Sequence, residues 1–182
     1  MASIIKVDQI QTAAGGTPTA ADLGINTTGN VLQVVQSVRS GTPYTSTATS
    51  WTDIPDLSVS ITPTSSSSKF LVSWTFYVGT DGGRPDILFK AVRDTTDIYV
   101  GDNTGGTLYI SHQVSNTGNS FMDFQQWAQT GQYLDTPNKA TAITYKIQGR
   151  NWSSSSNWKI GARWTNNSFQ QPAQITVLEI AG

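Results

Sequence analysis

The longest alternating segment of the 182-residue chain is residues 70–78, which read Phe-Leu-Val-Ser-Trp-Thr-Phe-Tyr-Val. Every second residue from Phe70 to Val78 is large and apolar, which is the two-residue period of a β-strand with one buried face. Runs with the same period lie at residues 31–38, 57–61, 87–91, 108–110, 121–128, 143–147, 158–164 and 175–180. Turn residues separate them. This spacing predicts an all-β, antiparallel, jelly-roll-like β-sandwich.

The composition supports this fold class and excludes several functions. Charged residues make up only 13% of the chain, and Glu179 is the single glutamate among twelve acidic residues, which disfavours helices. The net charge of −1, with Lys and Arg scattered singly, provides no basic patch, so we expect no nucleic-acid partner. No apolar stretch approaches the roughly 20 residues that span a bilayer, so we expect no membrane insertion. The absence of cysteine fits synthesis in a reducing cytoplasm.

The first 30 residues differ in composition from the rest of the chain. They contain few large side chains, too few to bury a core of their own. We therefore divide the chain into an N-terminal arm at residues 1–30 and a head domain at residues 31–182. The arm needs a partner, or another copy of the chain, to hold it. The residues expected to anchor it are Ile4, Ile5, Val7, Ile10 and Leu23.

Several predicted strands carry apolar residues on both faces. Leu71 and Tyr77 lie opposite the main stripe of residues 70–78, and Leu178 and Ile180 lie opposite the other apolar face of the last strand. A two-sheet sandwich buries one face of each strand. The second face therefore needs another surface, and we predict self-association. The alternative is a monomer whose extra apolar residues lie singly on the surface.

Six segments near the two ends of the chain form a recognisable set. They are residues 4–12 (IIKVDQIQT), 15–25 (GGTPTAADLGI), 29–36 (GNVLQVVQ), 133–137 (YLDTP), 142–148 (AITYKIQ) and 175–182 (ITVLEIAG). Together they resemble tail-fibre and other virion structural proteins of cyanophages and marine bacteriophages. Residues 80–130 match no family.

The resemblance implies a virion protein rather than an enzyme. It implies a homotrimeric fibre subunit, made in the host cytoplasm, whose N-terminal arm binds other virion proteins and whose head is displayed for host-surface attachment. A capsid decoration or cement protein that stabilises the phage head is the alternative. A small polysaccharide depolymerase is a third, less favoured hypothesis.

Catalytic motifs are nearly absent from the sequence. His112 is the single histidine, and no Gly-x-Ser-x-Gly segment presents a nucleophile to it. Eleven Asp residues make a pair of neighbouring carboxylates unavoidable by chance, so they do not indicate a glycosidase. We expect no catalytic residue and no cofactor.

One acidic cluster offers oxygen ligands of the kind that calcium prefers. It consists of Asp94, Asp97, Asp102 and Asn103, and its spacing matches no known calcium loop. Asp and Asn in such a segment cap their own backbone turns. We therefore predict turn residues and no bound metal.

Tryptophans in loop-like segments indicate a different kind of site. Trp152 lies beside a run of four serines, and exposed rings flanked by polar groups are typical of sugar-binding sites. We predict that Trp152, Arg84, Asp81 and Asn103 contribute to a tip that contacts a host-surface glycan or receptor. Packing of the rings against a neighbouring protomer is the alternative.

Overall fold

The structure is a computed structural model that describes residues 10–19, 22–23, 28–81, 86–101, 110–115, 124–152 and 156–182. The strands in these residues are β1 (Val31–Arg39), β2 (Tyr44–Ser46), β3 (Thr52–Ile61), β4 (Lys69–Thr80), β5 (Asp86–Arg93), β6 (Thr96–Ile98), β7 (His112–Ser115), β8 (Trp127–Asp135), β9 (Ile143–Asn151), β10 (Trp158–Ile160) and β11 (Ala173–Ile180). The same residues contain no α-helix, and hence no helix with the length and apolar content that crossing a bilayer requires.

The strands form two antiparallel sheets in jelly-roll order. The first sheet runs β1-β11-β4-β8, and β10 and β2 continue it beside the last residues of β4. The second runs β3-β9-β5, and β5 pairs further with β6 and β7. If β1, β3, β4, β5, β7, β8, β9 and β11 are numbered 1 to 8 in chain order, the sheets read 1-8-3-6 and 2-7-4-5. This is the jelly-roll arrangement of two Greek keys, so the predicted fold class is confirmed.

The core lies between the two sheets and is centred on β4. The apolar residues of its inner face are at most 2% exposed: Phe70, Val72, Trp74, Phe76 and Val78. β4 pairs with β11 and β10 on one side and with β8 on the other, so its inner face has neighbours in both directions. Each buried side chain of this size stabilises the fold by about 1.5–3 kcal/mol.

Two of the predicted strand boundaries are wrong. The strand predicted at residues 121–128 is β8, which begins at Trp127 and continues to Asp135. The strand predicted at residues 158–164 ends at Ile160, because Gly161 has a φ of +85°, which interrupts extended backbone. Most of the strand predicted at residues 108–110 lies outside the described residues.

Two polar links connect the sheets through the core. The indole N–H of Trp74 donates to Nε2 of His112 at 3.0 Å. The Tyr145 hydroxyl donates to Asp135 at 2.7 Å, and Arg93 donates to the same carboxylate. Burial lowers the pKa of His112, and burial together with the Asp135 carboxylate raises the pKa of Tyr145. Each link joins a residue of the first sheet to a residue of the second, so the two hydrogen bonds help to hold the sheets together.

The single glutamate is fully buried at the end of β11. Glu179 accepts the backbone N–H of Thr64 at 2.7 Å and its hydroxyl at 2.8 Å, and it also accepts from the Gln33 amide. Burial alone raises the pKa of Glu179, but the hydrogen bonds that its carboxylate accepts lower the pKa by more. The ionised carboxylate thus ties the turn before β4 to the first and last strands.

Candidate functional site

The predicted tip lies where β4 ends, β5 begins and β9 ends. Trp152 follows β9, is 43% exposed, and donates its backbone N–H to the carbonyl of Asp86 at 2.8 Å. Asp81 follows β4, and its Oδ2 accepts both the backbone N–H and the side-chain amide of Asn157 at 2.9 Å. The fold thus brings Trp152 and Asp81 to the same end of the sandwich. Through Asn157, Asp81 positions the segment that leads into β10. The sequence did not indicate this structural role.

An arginine joins Trp152 to a second tryptophan at this end. Cζ of Arg150 lies 5.8 Å from the ring centroid of Trp51 and 5.9 Å from that of Trp152. Nζ of Lys90 lies 4.7 Å from the Trp51 centroid. Cation–π contacts of this kind contribute about 0.5–1 kcal/mol each at exposed sites. Two flat rings beside N–H donors can pack on the C–H face of a sugar and donate to its hydroxyls.

Arg150 is a candidate tip residue that the sequence prediction missed. It belongs to β9, where Tyr145 and Ile147 point into the core. The two-residue period therefore places Lys146, Gln148 and Arg150 on the outer face of the second sheet. That period was visible in the sequence, but the approach of Trp51 to Arg150 depends on the pairing of β3 with β9.

The acidic turn after β5 contacts cations of the protein itself. Asp94 accepts from Nζ of Lys139 at 2.7 Å and from the backbone N–H of Thr144 at 2.9 Å. These two bonds hold the pKa of Asp94 below its usual range. Asp97 pairs with Lys90 at 2.7 Å. Within the described ranges no three His, Cys, Asp or Glu side chains group as metal ligands would.

Several predicted site residues lie outside the residues that the structure describes. They are Arg84, Asn103, Ile4, Ile5 and Val7, together with Asp102 of the acidic cluster. Two predicted anchoring residues are described. Ile10 is 56% exposed and Leu23 is 48% exposed, so both present apolar surface in the arm.

An apolar row crosses the outer face of the first sheet. Val34 pairs with Leu178, Leu178 pairs with Leu71, and Leu71 pairs with Leu134, so one residue from each of β1, β11, β4 and β8 lies in register. Val34 is 59% exposed and Leu134 is 49% exposed, and the two central leucines are partly exposed. At a strand spacing of about 4.8 Å the four positions span roughly 14 Å. These four residues are called the outer apolar row below.

The neighbouring positions bound the row with polar residues on one side only. On one side the same strands present a polar row, Gln36, Thr176, Ser73 and Gln132, in which Gln36 donates to Thr176 at 2.9 Å. On the other side Val31 and Ile180 pair with each other and extend the apolar surface. Scattered surface leucines need no explanation, but a contiguous apolar patch of this kind is typical of an interaction surface.

The sequence predicted the middle of this row but not its ends. Leu71 and Leu178 were predicted to lie on a second apolar face, and the structure places both on the outer face. Val34 was predicted to lie on the apolar stripe of the first strand with Leu32 and Val38, but it is exposed on the outer face, and Leu134 was not predicted at all. The alignment of both residues with the two leucines depends on which strands pair.

No protein-family model matches the chain, and no curated protein matches it. Among solved structures, that of the infectious bursal disease virus Gx strain aligns with a TM-score of 0.36 and 9% identity, and that of the infectious bursal disease virus VP2 subviral particle with a TM-score of 0.30 and 8% identity. Each alignment covers 84% of this chain and 39% of the other, so this chain spans well under half of those proteins.

Proposed function

We propose that the chain is a structural subunit of a bacteriophage particle, a homotrimeric fibre protein without enzymatic activity. Its N-terminal arm attaches to other virion proteins, and its head is displayed toward the host surface. The observation that carries the proposal is the outer apolar row, which gives the head a surface suited to a second copy of itself. The jelly roll is also a fold that viral capsid proteins and lectins use repeatedly.

The energetics of the row favour association. Burying a leucine or valine side chain fully contributes about 1.5–3 kcal/mol relative to leaving it exposed. About half of the surface of Val34 and Leu134 is exposed in the single chain. Covering that surface in an interface would therefore add much of this free energy to association. The side chains stand on paired strands rather than on loops, which makes the surface rigid and lowers the entropy lost on binding.

The arm has a similar excess of apolar surface. Ile10 and Leu23 are exposed on a segment whose described internal bonds are local, such as the pair of Thr19 with Asp22. The backbone joins the head where Gly29 donates to the carbonyl of Ala181 at 2.9 Å. We assign the preceding arm to attachment, because its apolar residues have too little mass to form a core.

The oligomeric state tests the proposal most directly. Size-exclusion chromatography with light scattering should give three times the 19.6 kDa mass of the chain. Leu134→Asp should reduce this to the mass of one chain, because the charge would be buried in the interface. Thr130→Asp is the matched control: it lies on the same face of β8 outside the row, so the trimer should persist. A wild-type chain that elutes at 19.6 kDa would overturn the proposal.

Labelling of the particle separates a fibre from a capsid decoration protein. An antibody against the head should bind at the tail if the chain is a fibre subunit. Label spread over the faces of the capsid would assign the chain to the decoration class instead.

Host contact through the tip is the finer part of the proposal. Trp152→Ala removes a ring that is 43% exposed, so the trimer should survive while adsorption to host cells weakens. Adsorption that stays at the wild-type rate would remove Trp152 from the proposed contact.

A further inference from the structure

A polar and aromatic groove lies between the edges of the two sheets, at the opposite end of β5 from the tip. Its lining includes Arg93, Tyr99, Ser111, Tyr133 and Asp135, and its volume is about 770 Å³. Small-molecule sites commonly measure about 300–1,000 Å³. We call it the Tyr99 groove. Arg93, in its lining, ends β5, whereas the tip lies beside Asp86, where β5 begins.

The ring of Tyr99 is held in place by three strands. Its centroid lies 5.5 Å from that of Trp74, 6.4 Å from that of His112 and 6.0 Å from that of Tyr133. The residue nevertheless remains 45% exposed. An aromatic ring that is braced by packing and still open to solvent is a preorganised platform for an apolar ligand face.

The backbone of Tyr99 adds an independent indication. Its φ is +52°, a conformation that bulky side chains rarely adopt. Such strain persists only where the surrounding structure imposes it. Asn or Gly would fit this turn with less strain, so the fold retains an aromatic residue at a position that does not favour one.

Polar groups line the groove beside the ring. Nη1 of Arg93 donates to both carboxylate oxygens of Asp135, at 2.7 and 2.9 Å. Among the described contacts, the other guanidinium nitrogens of Arg93 donate to no protein group, so they can serve hydroxyl oxygens of a ligand. The Asp97 carboxylate also lines the groove and is partly exposed. Arg93 pairs with Asp135 and Lys90 pairs with Asp97, so these four residues carry no net charge and leave no uncompensated cation for an anionic ligand.

We propose that the Tyr99 groove is a saccharide-binding site for neutral pyranose units, with a C–H face packed on Tyr99 and hydroxyls bound by Arg93 and Asp97. This inference rests on the proposed function in one respect: the host surface is the source of the saccharide. The groove is formed within a single chain, so saccharide binding can be measured separately from the oligomeric state.

Saturation-transfer NMR on the full chain tests the site, with methyl glycosides of glucose, galactose and mannose as probes. At least one neutral glycoside should receive saturation, and methyl glucuronide should receive much less. Tyr99→Asn should weaken binding about tenfold or more, because it removes the ring while tolerating the left-handed backbone. Tyr99→Phe should bind within a factor of about three of the wild type, because the stacking face remains.

The control substitution is Phe169→Asn. Phe169 is also aromatic, exposed (69%) and at positive φ (+55°), but it lies in the segment between β10 and β11, and binding should be unchanged. If Tyr99→Asn unfolds the head, Asp97→Asn replaces it and should weaken binding, because it removes a charged hydroxyl acceptor. The site is disproved if no neutral glycoside receives saturation, or if Tyr99→Asn and Asp97→Asn bind as the wild type does. Neither result would alter the light-scattering mass that tests the trimer.

Discussion

Trp74 and His112 are joined by a hydrogen bond, 3.0 Å long, that runs from the first sheet to the second. The indole nitrogen can only donate, so Nε2 of His112 must be the acceptor and cannot carry a proton. Burial also disfavours the imidazolium and lowers the pKa of His112. The neutral form of this histidine is therefore a requirement of the folded head.

This requirement predicts a loss of stability in mild acid. The folded pKa of His112 lies below the unfolded value of about 6.5, so the unfolded chain binds the proton first. The contribution of neutral His112 is fully present above pH 6.5 and is lost as pH falls toward the folded pKa. We expect the wild-type melting temperature to drop between pH 7 and pH 5. His112→Gln, which keeps an acceptor for Trp74 but does not titrate, should show a smaller drop; equal drops would exclude His112 as the cause.

Truncating Asp135, the buried partner of Arg93, should lower the free energy of unfolding strongly. Asp135 is 4% exposed, and Asp135→Ala leaves the Arg93 guanidinium and the buried Tyr145 hydroxyl without their acceptor. Removing one partner of a buried pair costs about 3–5 kcal/mol, and the partial exposure of Arg93 places this case near 3 kcal/mol. Urea unfolding measures the change in the free energy of unfolding.

An exposed ion pair provides the control for this measurement. Asp53 pairs with Lys146 at 2.8 Å, but its side chain is 52% exposed. Asp53→Ala should therefore change the free energy of unfolding by less than about 1 kcal/mol. Similar losses in both variants would mean that burial does not strengthen the pair of Arg93 with Asp135.

The position of Gly131 in β8 leaves no space for a side chain, because the Trp74 ring lies against it. It pairs with Trp74 across the first sheet, and a Cβ atom at position 131 would lie 2.6 Å from Cε2 of that indole and still closer to Cζ2. Gly131→Ala should therefore lower the free energy of unfolding by about 1–3 kcal/mol. Gly101→Ala has open space around the new Cβ and should be neutral in the same urea experiment. Equal stability of the two variants would mean that Trp74 can shift without cost.

The buried Glu179 carboxylate should cause a second loss of stability in acid, at lower pH than the loss caused by His112. Its folded pKa lies below the usual 4.5, so its contribution is present above that value and is lost as pH falls through the folded pKa. Glu179→Gln should be less stable at pH 7, because Thr64 and Gln33 lose a charged acceptor. The difference in melting temperature from the wild type should narrow between pH 5 and pH 3; a constant difference would contradict the assignment.

The sequence predicted what depends on local periodicity. Phe70 to Val78 alternated strongly enough to identify β4 and its buried face. β8 was misplaced because Gln129, Gly131 and Gln132 do not read as a strand, and Gly131 is there because Trp74 occupies the space of a side chain. Local patterns cannot show which side chains meet across strands.

The same limit applies to the surfaces that are candidates for function. Trp152 was predicted to be exposed from its loop-like surroundings, and it is. Its neighbour Arg150, the register of Leu134 with Leu71, and the three strands around Tyr99 all depend on tertiary pairing. Both the outer apolar row and the Tyr99 groove therefore became visible only in the folded chain.

The pairing of β1 with β11 also has a kinetic consequence. The two strands occupy residues 31–39 and 173–180, and they become neighbours only after most of the intervening chain has been brought together. The entropy of closing such a loop is lost before the contacts form, so folding is expected in the millisecond-to-second range typical of β-sandwiches. During that interval the apolar strand faces stay uncovered and can aggregate. High expression at elevated temperature should therefore yield inclusion bodies.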